Sequence, residues 1–389
     1  MNPLAATLLL TPALLAAPYR GTVDLSDRTE LRGGDFGLPT DPALNAETVP
    51  SIGLSLETHT SALTLGYAPR FALTDLQLGL YPSILQNGSA DLSWHARQVR
   101  ISLTEYASYG TLNYSSLQLP ASAAPGSFRV DPLLRRIVSY EGTSTALALV
   151  LTPERRWSLR FALSYSLSGA ANEADRDVLP LYYGPRFETA FDYAVTRPTH
   201  SVTRASVERA TVSTGQQYVF VQGTEGIAQH LDKMTDAELA VGVTEVRSDL
   251  PPPRSELRYD TYGTVEAVLN HRLPYRDRFD LQFRAALSPA INRVTGLVTQ
   301  QLQAIVRSNF RNYPWTSAFE GGFADSIHDE PGSIAVISGQ VTVGYFFSKP
   351  VEVEAGTRLA WQKVGGADSA TVQKLLFVAL TLRDPTLHF

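Results

Sequence analysis

From Tyr19 to Arg383 apolar and polar residues alternate with a period of two, the spacing at which successive side chains of a β-strand face opposite sides. The clearest stretch is Arg156 to Leu167, where Trp157, Leu159, Phe161, Leu163, Tyr165 and Leu167 share one face and Arg156, Ser158, Arg160, Ala162, Ser164 and Ser166 the other. Val351 to Gln362 and Phe279 to Ser288 repeat the arrangement, with Glu352, Glu354, Arg358, Asp280, Gln282 and Arg284 on the polar parity. Near the start, Arg20, Thr22, Asp24, Ser26, Arg28, Glu30 and Arg32 make a wholly polar face. In a soluble sandwich the apolar faces of two sheets interlock as a dry core. Here Arg sits in mid-strand and aromatic rings lie towards both ends of the apolar face, the pattern of a membrane barrel with ring girdles outside and water inside. So many ionisable groups stay hydrated in an aqueous lumen but could not all be paired in a dry interior.

Connections give an independent test, because outer-membrane barrels alternate short periplasmic turns with longer external loops. Long stretches are expected at Gly33 to Pro50, Ala72 to Ile84, Thr111 to Leu133, Gly169 to Pro180, Ser248 to Glu256, Asp325 to Gly332 and Val364 to Ala370. Tight turns are expected near Thr60, Ala96 to Gln98, Pro153 to Arg155, Arg197 to Thr199, Met234, Pro274 to Arg276, Tyr313 to Pro314 and Ser348 to Pro350. External connections near Gly215 and Pro289 are short. The expected fold is all-β: a transmembrane antiparallel barrel of about 18 strands (16–18), wound as an up-and-down meander, with both termini in the periplasm. Two places resist the pattern. Glu105 falls on the parity of Val99, Ile101 and Leu103, which aims a carboxylate at lipid unless a bulge reverses the face or the residue lies beyond the apolar band. Gln216 to Leu231 alternates only weakly.

Composition narrows the class. The chain holds 17 Tyr and 16 Phe against two Met and no Cys; the aromatic content suits strands, and the lack of thiols suits an oxidising compartment. A net charge of -5 without a long basic block argues against nucleic acid as partner. Leu4 to Ala17 is an apolar run of signal-peptide length ending in small residues, which divides the chain into a leader at 1–17 and a barrel at 18–389. No later run of some 18 apolar residues occurs, so any span must be made by strands.

Tyr67-Ala68-Pro69-Arg70-Phe71 and Tyr183-Gly184-Pro185-Arg186-Phe187 share the pattern Y-x-P-R-F, read as a feature of strand ends or bulges, where Pro is tolerated. With this motif, the opening strand Tyr19 to Arg32 and the final strand Lys374 to Arg383, the chain resembles the porin-like outer-membrane barrels of myxobacteria and related Gram-negative bacteria. The resemblance implies residence in the outer membrane among lipid and lipopolysaccharide, assembly by the barrel assembly machinery, and a place among barrels that pass secreted polysaccharide with the help of periplasmic export proteins. Phe389 looks like the terminal assembly signal, although Pro385 separates it from the alternating strand.

Catalytic chemistry is hard to find. His59, His95, His200, His230, His271, His328 and His388 form no pair at metal-ligand spacing, and no cofactor or metal motif occurs. Ser326-Ile327-His328-Asp329-Glu330 gathers hydrolase residue types, but a triad converges from separate elements, so a solvated external loop is the better reading. Three functions remain open: a pore for polar solutes, a dedicated polysaccharide pore in which Tyr and Trp stack on sugar rings, and an outer-membrane hydrolase or adhesive barrel. Expected pore-lining residues are Arg160, Glu188, Asp192, Glu266, Asp280, Arg284, Arg307, Arg311, Glu320, Glu354 and Arg358; mixed signs there predict weak ion selectivity, and pairing across the wall is the equal alternative. Thr111 to Leu133 is the candidate loop for an inward constriction.

Overall fold

The computed structural model describes residues 19–35, 43–74, 81–113, 137–176, 179–249, 257–273, 279–291, 298–326, 334–364, 370–384 and 387–388. The leader expected at 1–17, Phe389, most of the expected Thr111 to Leu133 loop and the Ser-His-acid segment beyond Ser326 lie outside these residues. The strands are β1 (Arg20–Asp35), β2 (Ala43–Glu57), β3 (Ser61–Tyr67), β4 (Arg70–Thr74), β5 (Tyr81–His95), β6 (Val99–Asn113), β7 (Ile137–Glu154), β8 (Trp157–Ala170), β9 (Tyr182–Ala194) and β10 (Thr199–Val212). They continue as β11 (Gln217–His230), β12 (Thr235–Asp249), β13 (Leu257–Arg272), β14 (Phe279–Ile291), β15 (Val298–Asn312), β16 (Trp315–Ser326), β17 (Ile334–Ser348), β18 (Val351–Val364), β19 (Thr371–Arg383) and β20 (Leu387–His388).

Each strand pairs antiparallel with its neighbours in sequence, and β1 pairs with β19 from Ser26↔Arg383 to Asp35↔Lys374, which closes the sheet. Two of the segments are continuations. β3 and β4 both lie between β2 and β5, and the register runs without offset across Ala68 and Pro69, from Ile52↔Tyr67 to Thr48↔Phe71. β20 extends β19 along β1 at Val23 and Thr22. The result is a closed antiparallel meander of 18 barrel strands. Closure leaves no free edge, which is the condition for a sheet to stand in hydrocarbon.

Short turns fall at 58–60, 96–98, 155–156, 195–198, 231–234, 313–314 and 349–350, at one end of the barrel, as the sequence predicts. The turn at 231–234 is pinned by Asp232, which accepts the Met234 N–H at 2.6 Å and the Thr235 hydroxyl at 3.1 Å; the Met234 bond above all holds its carboxyl below the usual carboxylate range. Strands run further into the loops than expected. Ala43 to Pro50, expected as loop, begins β2, and Pro289 lies within β14 rather than in a connection. Gln217 to His230 is a regular strand despite its weak alternation, because its neighbours on both sides fix the register.

The outward face of the barrel is largely apolar and exposed: Leu31, Leu163, Leu239, Ile337 and Leu376 are 50 %, 54 %, 57 %, 52 % and 68 % accessible. No soluble core could leave such a belt uncovered, whereas lipid covers it. All four tryptophans, Trp94, Trp157, Trp315 and Trp361, take this outward parity. Around the short-turn end the rings pack together, Trp315 against Tyr345 at 4.9 Å and Tyr345 against Phe347 at 5.0 Å between centroids, forming the interfacial girdle expected there.

Glu105 does point outward: β6 keeps an unbroken register with β5 and β7, so no bulge reverses it. It has company that the alternation concealed. Asp27 shares the outward parity of Leu25 and Leu31 and accepts the hydroxyls of Thr48 at 2.8 Å and Thr29 at 3.4 Å. Glu225, between exposed Val221 and Ile227, accepts the Ser201 hydroxyl at 2.7 Å and that of Thr203. Hydroxyls on the same or the adjoining strand thus solvate carboxylates where water is scarce.

The two Y-x-P-R-F copies do the same thing at two places. Each Pro interrupts the ladder without shifting it, Tyr and Phe face outward, and Arg faces the lumen. At Gly184 a Cβ would stand 1.7 Å from the Arg209 carbonyl oxygen, so Gly184→Ala must push β9 off β10. Its expected cost is about 1–3 kcal/mol, read as an earlier midpoint in urea unfolding of the vesicle-folded protein.

Candidate functional site

The inner wall follows from parity: where one face is given to lipid, the alternate residues turn to the lumen. Every lining residue expected from the sequence takes that inward parity, and most are in ion pairs joining neighbouring strands. On β9 and β10, Arg186 bridges Glu188 at 3.2 Å and Glu208 at 3.5 Å, and the Tyr182 hydroxyl donates to Glu208 at 3.0 Å. Arg204 then reaches Glu238 at 2.5 Å and Glu266 at 3.9 Å, and Arg284 reaches Glu266 at 2.6 Å. Further round, Arg307 meets Glu320 at 3.1 Å and Arg358 donates to Gln340 at 2.8 Å. Arg160 makes no ion pair among the described residues and borders, with Arg186, Arg204, Glu238, Glu266 and Arg284, a recess of about 280 Å³.

The series crosses the closure of the barrel. Glu354 on β18 pairs with Arg28 on β1, Arg28 with Glu30 at 3.2 Å, and Glu30 with Arg32. Arg32 reaches Glu47 on β2 at 2.9 Å, and Arg70 on β4 grips Glu47 through both carboxylate oxygens, at 2.7 and 2.8 Å. Only the Nη2 contact is a hydrogen bond; the Nε contact is an ion pair by distance. Near the short-turn end Asp192 meets His200 at 2.7 Å, Asp280 lies 3.9 Å from Arg272, and Arg311 borders a small recess with Glu352 and Glu354.

Of the residues in this girdle, Arg28, Glu30, Arg32, Glu47, Arg70, Arg186, Arg204, Glu208 and Glu238 were not among the expected pore-lining residues, although Arg28, Glu30 and Arg32 belong to the polar face noted near the start. Glu47 was hidden by the loop assigned to its segment. Arg70 and Arg186 were visible as the arginines of the repeated motif, on the parity opposite Tyr and Phe, and that parity was the signal to use. The expectation that Trp stacks on sugars is not met on the inner wall, since all four face lipid.

Close to the external mouth residues 171–176 and 179–181, between β8 and β9, pack inward. Leu179, 1 % accessible, packs on inward-facing Leu85, Val138 and Ala170. Asp175 fastens it by accepting both the backbone N–H and the hydroxyl of Ser139, each at 3.0 Å. This is a described inward loop one connection later than the candidate Thr111 to Leu133. No group of His, Cys, Asp and Glu fit to hold a metal is present among the described residues.

A closed barrel of this size, greasy outside and lined with hydrated ions, is an outer-membrane transport pore. The sequence matches the model of the EpsX exopolysaccharide export family over residues 29–386, and the chain belongs to that family. The family match points to a transport barrel rather than to an enzyme. Among solved structures, the Pseudomonas aeruginosa outer membrane protein opdK is similar at 11% identity over 95% of this chain and 99% of that one, with a TM-score of 0.46. Acinetobacter baumannii OccAB4 is similar at 10% identity over 95% and 98%, with a TM-score of 0.49. Comparison with curated protein sequences returns no significant match.

Proposed function

We propose that this barrel is the outer-membrane conduit for a secreted polysaccharide, delivered from the periplasmic side by export proteins of the same route and reached by the chain through its leader at 1–17. The observation that carries the reading is the paired girdle. A wall of opposite charges already joined to each other offers donors and acceptors to sugar hydroxyls while presenting little net field, so a polar chain can slide without being trapped. Arg160, Glu188, Asp192, Glu266, Asp280, Arg284, Arg307, Arg311, Glu320, Glu354 and Arg358 line the path in this proposal. Family membership supports the cargo class.

Deleting the gene is expected to abolish surface polysaccharide while small-solute uptake stays normal, measured by glycan staining and by uptake of a labelled hexose. Normal surface glycan with impaired uptake would replace this reading by a general solute pore. The purified full chain in a planar bilayer is expected to give stable conductance steps.

A further inference from the structure

The inner wall is not uniform around the barrel. Opposite the salt-bridged arc of β8 to β14, one cross-strand row runs Asp24↔Gly53↔Gly66↔Ser89↔Tyr106 through β1, β2, β3, β5 and β6. All five positions face the lumen, on the parity of Arg28, Glu47 and Arg70. Two directly opposed glycines make a low floor, with the Ser89 hydroxyl lying over Gly66, a carboxylate at one end and an aromatic ring at the other, about 19 Å away at the spacing of neighbouring strands. The recess over this row has a volume of about 340 Å³, within the range of small-ligand sites.

Tyr106 is not a loose side chain. Its hydroxyl donates to Asn87 Oδ1 at 3.0 Å, Ser108 donates to the same oxygen at 2.9 Å, and Asn87 Nδ2 donates to the Ala68 carbonyl at 3.0 Å. The ring is therefore fixed in place, yet 43 % of the residue stays accessible from the lumen. A rigid, exposed ring beside a shelf of glycines and small polar residues is a preorganised platform, and no basic residue borders the recess.

We infer that this trough is a glycan subsite of the export path, selective for uncharged sugar residues. The inference rests on the polysaccharide reading above. The apolar face of a pyranose stacks on Tyr106, the glycines let the ring lie flat against the wall, and Asp24 accepts hydrogen bonds from sugar hydroxyls at the far end. The same carboxylate repels uronate or sulfate groups. No bond is made or broken; the site holds the chain in register as it passes.

The test is calorimetry on the full chain in a sugar-free detergent, titrated with maltohexaose, with a mannan hexasaccharide and with hexagalacturonate, alongside bilayer conductance. Saturable binding of a neutral hexasaccharide is expected, at least about tenfold tighter than hexagalacturonate. Tyr106→Ala and Gly53→Phe should each weaken it about tenfold, Tyr106→Phe less, and Asp24→Asn should erase the discrimination against the uronate. A Cβ at Gly53 meets only Asp24 atoms, at 3.9 and 4.0 Å, so the added ring fills the trough without a clash at its root. Conductance with no neutral hexasaccharide binding, or binding indifferent to Tyr106→Ala, overturns the subsite and leaves the pore standing. Binding that follows the variants in a barrel without conductance keeps the subsite and overturns the open conduit.

Discussion

Arginine placed at Leu163 is expected to cost about 2–4 kcal/mol of folding free energy in a bilayer, while arginine at the next residue, Ser164, is tolerated. Leu163 lies midway along β8, 54 % exposed, between exposed Leu147 on β7 and Phe187 on β9. A guanidinium there must leave water for hydrocarbon or drag water in after it. Ser164 stands opposite Arg186 on β9, within the same wall as Glu188 and Glu208, so an added cation finds solvent and carboxylates at once. Refolding from urea into lipid vesicles, followed by the shift of the heat-modifiable band on a gel, reads both variants. Phe161→Arg should behave as Leu163→Arg does. Equal losses at Leu163 and Ser164 would mean that the faces are reversed, and every statement about the lumen would go with them.

The contrast works because the period-two alternation is strict here, and this is also why so much of the architecture was legible from the chain. Strand parity, the alternation of short and long connections and the strand number all follow from local sequence, since lipid and water each select one side of every strand. What stayed hidden depended on two strands at once. Asp27 lies in Ser26-Asp27-Arg28-Thr29-Glu30, a run polar on both parities, and only Thr48 across the ladder marks it as an outward carboxylate that has been solvated. Glu47 lies in a stretch between Pro42 and Pro50 that reads as loop, yet it is the joint between Arg32 and Arg70. The trough is of the same kind: Asp24, Gly53, Gly66, Ser89 and Tyr106 are scattered in sequence, and only the register brings them into one row.

Neutralising Glu238 and Glu266 together, as Glu238→Gln with Glu266→Gln, is expected to turn a weakly selective channel into an anion-selective one. The two carboxylates hold Arg204 and Arg284, and the recess they border also contains Arg160 and Arg186. Without them Arg160, Arg186, Arg204 and Arg284 keep Glu188 and Glu208 as their near counter-ions, a surplus of positive charge. Two unit charges 4 Å apart interact by about 1 kcal/mol even at the dielectric of bulk water, which corresponds to roughly a fivefold change in the local preference for one ion sign. The lumen wall is less polarisable than water, so the change in permeability ratio should be at least of that order. The reversal potential under a potassium chloride gradient measures it, and raising the salt should shrink the effect because the groups are hydrated. The reciprocal pair, Arg204→Gln with Arg284→Gln, should move the potential the other way. If neither pair moves it while conductance persists, the ions travel elsewhere and this arc only stiffens the wall.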